Sequence, residues 1–128
     1  MQKISSGQFE FLTRFYYLLD SIEEGFDYVL LSFENIHCVD RDQVLADIML
    51  AIYEIDSARS ILNPLLTEES KVKEDFHQLD DIIHQFEEIE FIKSQPVNFE
   101  HFIKCELYPT FMAWKQQVQK RLHAYIAH

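Results

Sequence analysis

The chain has 128 residues, the size of one domain, and carries 22 Asp and Glu against 11 Lys and Arg, a formal net charge of -11. Hydrophobic residues make up 48% and aromatics 14%, enough apolar surface to offset the cost of ordering the chain, so it is not a disordered acidic tail. Two Gly and three Pro are too few turn formers for a many-stranded β fold, and no run free of Asp, Glu, Lys and Arg exceeds eight residues, which excludes a membrane-spanning helix.

Apolar residues recur at helical spacing through four segments. In the first, Phe15, Leu19, Ile22, Phe26, Val29, Phe33 and Ile36 alternate steps of four and three. Ser5 with Gln8 three residues later is a capping-box pattern, so a helix is predicted over 7–36. Gly25 lies inside it, at a cost of about 1 kcal/mol relative to Ala, and marks either a close helix crossing or a weak point. Asp40 with Gln43 repeats the capping pattern and opens a second helix over 41–62, with Val44, Ile48, Ala51, Ile55, Ala58 and Leu62 inward. Asn63-Pro64 ends it.

Thr67 caps a third helix over 68–93, whose stripe is Val72, Phe76, Leu79, Ile83 and Phe86, widened by Ile82 and Ile89; Ser94-Gln95-Pro96 stops it. Asn98 caps a fourth over 99–126 with Leu107, Phe111, Trp114, Val118, Leu122 and Tyr125 inward. Pro109 removes a backbone donor there and crowds the turn at Cys105, so a kink or a short break before Leu107 is predicted. Four helices, each about 35–45 Å long at 1.5 Å per residue and joined by short loops, imply an all-α fold. The expected form is one antiparallel up-down-up-down four-helix bundle spanning 1–128. A dimer of exchanged or paired helical hairpins is the rival.

Two segments stand out for function. Phe9, Phe11, Tyr16, Tyr17 and Leu18, with Leu12, Phe15 and Leu19, clothe nearly the whole first helix, whereas a helix covering one core needs a single stripe. The excess reads as burial on several sides, or as an interface for a partner helix or a second copy. Residues 68–90 hold nine acids against Lys71 and Lys73. Glu74, His77, Asp81, His84 and Glu88 recur there at spacings of three and four, opposite the apolar stripe. That is a solvated face, or a docking stripe for a basic partner modulated by the two histidines. Lys115 and Lys120 are expected near the start of this helix, easing its repulsion.

Metal and catalytic chemistry find little support. Glu74-x-x-His77 and Asp81-x-x-His84 have carboxylate–histidine spacing, but both lie on one helix, whereas a di-iron site needs motifs on two. His37 and Cys38 share one end of the expected bundle with His101 and Cys105, a set of zinc-type ligands whose adjacent His37-Cys38 lacks the usual spacing. Independent thiols in a reducing cytoplasm are the simpler reading. Arg121 and His128 read as a basic helix terminus. No phosphate-binding Gly-rich loop and no nucleophile motif occurs, so no cofactor and no enzyme activity is expected. The opening residues 1–7, which lack an apolar segment, are not expected to form a secretory leader.

The charge opposes direct binding of nucleic acid or of an anionic membrane. The sequence therefore points to a protein-binding module, chaperone-like, adaptor or inhibitor, with a basic or amphipathic-helical partner and a possible homodimer. The alternative is an acidic mimic of nucleic acid that blocks a DNA- or RNA-binding protein; a metal-dependent helical enzyme ranks below both.

Overall fold

The computed structural model describes residues 5–59 and 69–126. They form α1 (Ser6–Ser32), α2 (Arg41–Ser57), α3 (Glu69–Ile92) and a long bent rod made of α4 (Pro96–Phe102), a π-helical turn (Ile103–Leu107) and α5 (Tyr108–Ile126). Among the described residues there is no strand. The Asn63-Pro64 stop, the Thr67 cap, Leu62 and His128 lie outside the described residues, as do the side chains of Val72, Phe76 and Tyr125.

The ring of neighbours is α1–α2–α3–rod–α1. Each pair runs antiparallel. Tyr28 of α1 meets Asp40 before α2, Arg59 after α2 meets Asp80 of α3, Asp75 meets Arg121, and Lys115 meets Asp20 and Glu23. This is the up-down-up-down bundle expected from the sequence. Its centre is aromatic: the ring of Phe26 lies 5.1 Å from Phe111, 5.7 Å from Tyr108 and 6.3 Å from Phe86. Trp114, Leu12, Leu19, Ile52, Ile55 and Leu79 fill the fully enclosed layers around it.

The helix ends explain where the sequence reading holds and where it shifts. At α1 the capping box forms as expected: Gln8 N donates to Ser5 Oγ at 3.1 Å, and Ser5 N donates to Gln8 Oε1 at 2.9 Å. The helix stops at Ser32 rather than running to Ile36. Arg41 donates through Nη2 to the Ser32 carbonyl at 3.0 Å and through Nε to Ser32 Oγ at 2.6 Å, and its guanidinium lies 4.0 Å above the Phe33 ring. A cation thus satisfies the helix terminus and stacks on the next aromatic. Ile36 is left in the loop, 89% exposed instead of inward.

Asp40 makes no side-chain cap; its N–H goes to the Tyr28 hydroxyl at 3.0 Å, and Gln43 bonds Asp47 instead. The inward face of α2 is Leu45, Ile48, Ile52 and Ile55, rotated from the expected stripe so that Val44 and Ala51 sit at its edge. Gly25 marks a close crossing: a Cβ there would meet Ile48 Cδ1 and Cγ1 at 3.0 Å. The rod starts three residues before the expected boundary. Pro96 occupies its first turn, where a missing N–H costs nothing, and Asn98 bonds the Gln95 side chain from inside the helix rather than capping it.

The bend at Pro109 takes the form of the π turn. Tyr108 N donates to the Ile103 carbonyl five residues back, so the turn widens ahead of the proline, which cannot donate to Cys105. The wider turn re-phases the rod, and Phe99, Phe102 and Ile103 share the buried face with Leu107, Phe111 and Trp114.

Candidate interaction surface

Most of the surplus apolar surface of α1 is absorbed by the bundle itself. Leu12, Phe15 and Leu19 are buried, and Phe11, Tyr16 and Leu18 pack against the core while half-covered. Only Phe9, 37% exposed, and Tyr17, 60% exposed, still face outward among the five candidate residues. Phe11, Phe15 and Leu18 line a groove of about 250 Å³ against Ile55 and Ala58 of the second helical segment.

The row on α3 lies on the solvent side. Glu74, His77, Asp81 and His84 are exposed and Glu88 is half-exposed, on the side of the helix away from buried Leu79, Ile82 and Phe86. His84 Nε2 lies 3.3 Å from Glu88 Oε1. One acid of the segment departs from this face. Asp75 turns inward, 4% exposed, where its carbonyl accepts the Trp114 indole N–H at 2.8 Å and its Oδ2 accepts from Arg121 Nε at 2.6 Å. Burial pushes its carboxyl above the usual carboxylate range although Arg121 opposes the shift.

Lys115 and Arg59 are engaged by acids of neighbouring helices. Lys115 does not lie against the start of α3 as expected. It is buried against α1, 3.0 Å from Asp20 and 2.8 Å from Glu23. Burial draws its ammonium down, but Glu23 and Asp20 outweigh that and hold it above the ordinary lysine value. Gln119 completes the contact by donating to Asp20 Oδ1 and to the Tyr16 carbonyl. That amide, with Lys115, keeps the Asp20 carboxyl below its usual range. Arg59 lies 2.7 Å from both Asp56 and Asp80 and depresses Asp80.

The metal-type residues stay apart. His37, His101 and Cys105 are exposed and Cys38 is half-buried. Both cysteines are free thiols, and among the described residues no three His, Cys, Asp or Glu side chains converge as a metal-binding group. Among the described residues no helix is long and apolar enough to cross a membrane.

Two features escaped the sequence reading. The first is a groove of about 210 Å³ between α2 and α3, floored by Leu45, Met49, Phe86, Ile89 and Phe99 and edged by Asp42, Glu90 and Lys93. Phe91, 80% exposed, follows its Glu90 edge, and Leu50, 61% exposed, stands next to Met49. The second is the end of the bundle where the α1–α2 and α3–α4 loops lie. Ile36, Val39 and Val97 are 89%, 78% and 82% exposed there.

A family model described as a domain of unknown function, DUF8042, matches residues 10–117, which runs from α1 into α5. The chain belongs to the DUF8042 family. Neither the curated proteins nor the solved structures include a match to it. The part of this DUF8042 chain that the family model covers contains the acidic row, both grooves and the apolar end.

Proposed function

We propose that this DUF8042 domain is a protein-binding module that holds an amphipathic helix with a basic flank, acting as a chaperone-like holder, adaptor or inhibitor rather than as an enzyme. The observation that carries this reading is the α2–α3 groove, whose apolar floor of Met49, Phe86, Ile89 and Phe99 is edged by Asp42 on one side and by the Glu90–Lys93 pair on the other. An amphipathic helix in such a groove contributes apolar anchors, while charge sets encounter rate and partner choice. The exposed row Glu74, His77, Asp81, His84 and Glu88 runs along α3, and Phe91 extends it by an apolar step. This moves the apolar half of the contact from α1, where of the five candidate residues Phe9 and Tyr17 stay exposed, to the α2–α3 side. The free thiols of Cys38 and Cys105 support a reducing, cytoplasmic setting.

Fluorescence anisotropy with a synthetic Leu/Lys amphipathic helical peptide tests it, beside a Lys-rich peptide of equal charge without an apolar face. The amphipathic peptide is expected to bind, to persist at high salt, and to lose about tenfold or more in affinity with Met49→Asp or Phe91→Ser. Equal binding of both peptides, collapsing with salt and indifferent to Met49→Asp, would replace this reading with the nucleic-acid mimic.

A further inference from the structure

Two aspartates at helix–helix contacts each have a glutamine beside them, in opposite senses. Between α1 and α5, Gln119 accepts from Lys115 Nζ through Oε1 at 3.0 Å, which turns its amide nitrogen toward Asp20, where it donates to Oδ1 at 2.9 Å. That arrangement suits a charged carboxylate, and the amide is the first cause that holds Asp20 below the usual range. Between α3 and α5 the sense is reversed. Asp75 Oδ2 accepts from Arg121 Nε at 2.6 Å, but Asp75 Oδ1 is enclosed with no hydrogen-bond partner. Gln78 follows one turn along the same helix, and its Oε1 is likewise enclosed with no partner. Residues three apart on a helix are surface neighbours, with Cβ atoms about 5–6 Å apart, so both orphaned acceptors lie on one stretch of α3.

We infer that Asp75 and Gln78 form a proton-binding site, in which a proton taken from solvent onto Asp75 Oδ1 is donated to Gln78 Oε1. Two enclosed acceptors cannot satisfy each other, and each left alone costs the desolvation of a polar group. One proton satisfies both, since a protonated carboxyl carries one O–H donor. The other contacts persist. Oδ2, then the carbonyl oxygen of the acid, still accepts from Arg121, and the Asp75 backbone carbonyl still accepts the Trp114 indole N–H at 2.8 Å. Burial pushes the Asp75 carboxyl above its usual range, outweighing Arg121 from α5, and Glu74 on its own helix pushes the same way; among the described residues these are the charged groups that act on it. The folded chain therefore takes up this proton before the unfolded chain does. Acidification relieves two orphaned acceptors at the α3–α5 contact, so that contact tightens. The Asp20 site behaves in the reverse sense, because protonation there removes the charge that Lys115 and Gln119 hold. The Asp75–Gln78 site is separate from the α2–α3 groove and acts as a pH-sensitive lock in the fold.

Carbon-detected NMR titration of the whole chain between about pH 7 and about pH 4 tests it. In wild type the Gln78 side-chain carbonyl is expected to shift with the same midpoint as the Asp75 carboxyl, because one proton joins them. Gln78→Met keeps the length of the side chain and removes the acceptor. There Asp75 should lose about threefold or more in proton affinity, while Asp20 titrates as in wild type. The direction of the change separates two roles for the amide. An Asp75 that binds its proton as tightly or more tightly in Gln78→Met would overturn the inference, since an amide that donates its N–H to the charged carboxylate produces that result. So would a Gln78 carbonyl that stays still through the Asp75 titration, a measurement made without any variant. Exchange of the Trp114 indole N–H reads the lock itself. It should become better protected from about pH 7 to about pH 5 in wild type and not in Asp75→Asn, and equal behaviour of the two chains would contradict the lock.

Discussion

Where α3 begins and α5 finishes, the helices are tied by enclosed polar contacts: Asp75 to Arg121 and Trp114, and on the adjacent flank Lys115 to Asp20 and Glu23 with Gln119 between. At the opposite end the ties are aromatic, with Phe33 against Phe99 and Arg41 stacked on Phe33, and large apolar side chains remain in solvent. The contrast shows how a chain of net charge -11 keeps its architecture and its surface distinct. Lys115, Arg59 and Arg121 are drawn into helix–helix contacts, while the acidic row of Glu74, Asp81 and Glu88 stays on the solvent side of α3. Three apolar residues beyond the needs of the core, Ile36, Val39 and Val97, stand where the chain turns.

Substitutions in the enclosed polar contacts should damage the fold, and those of the exposed apolar side chains at the other end should leave it intact. The largest effect is expected at Trp114, 1% exposed and hydrogen-bonded to the Asp75 carbonyl. Trp114→Ala should cost about 3–5 kcal/mol in denaturant unfolding by creating a cavity and orphaning that carbonyl. Arg121→Ala should follow at about 2–3 kcal/mol, because it leaves the enclosed Asp75 carboxylate without its cation. Asp75 Oδ1 already lacks a hydrogen-bond partner among the described residues, so little remains to compensate.

Acid titration sharpens the contrast by sign. Asp75 has a raised folded-state carboxyl, so the folded chain takes up this proton before the unfolded chain does. Its charge weighs against folding above the folded value, and that penalty is relieved as pH falls through the folded value toward 3.8. Asp20 and Asp80 are depressed, so the stability they contribute is present above 3.8 and is lost as pH falls through their folded values. Relative to Asp75→Asn, wild type should therefore gain stability on acidification from pH 7 toward 4, measured by denaturant midpoints at matched pH. Relative to Asp80→Asn, wild type should lose stability below 3.8, by a small amount because Asp80 is more than half exposed.

Gly25 supplies a smaller and more local effect. Gly25→Ala gains helix propensity but forces its methyl onto Ile48 at 3.0 Å, and should destabilise by about 1 kcal/mol. Ile48→Val in the same chain should recover part of that loss, a coupling that a double-mutant cycle detects. At the apolar end, Ile36→Asp and Val97→Asp should leave the unfolding free energy within about 0.5 kcal/mol of wild type, since neither side chain is in the core.

Much of this was legible in the spacing of apolar residues. The alternating steps from Phe15 to Val29 brought out α1, and Phe111, Trp114, Val118 and Leu122 brought out α5, because burial on one side of a rod leaves a 3.6-residue trace. Pro109 announced a bend, and the π turn that accommodates it is set by the tertiary need to bury Phe102, Ile103 and Leu107 together. The end of α1 was hidden because Ile36 continues the helical rhythm, whereas the stop comes from Arg41 across the loop. Lys115 was misplaced, and the inward turn of Asp75 passed over, for a related reason. A charged residue next to a buried stripe reads as exposed until a partner on another helix is known, and Asp20, Glu23 and Arg121 are 95, 92 and 46 positions away. The α2–α3 groove left no trace in either helix alone, because its floor is assembled from α2, α3 and the start of α4.

The most direct test of partner capture is a methyl NMR titration of the whole chain with the basic amphipathic peptide. Shifts concentrated at Met49, Ile89 and Leu45 of the α2–α3 groove, spreading to residues beside Glu88 and Phe91, are the expected result. Shifts confined to the Phe9 and Tyr17 side of α1, or none at saturating peptide, would contradict it.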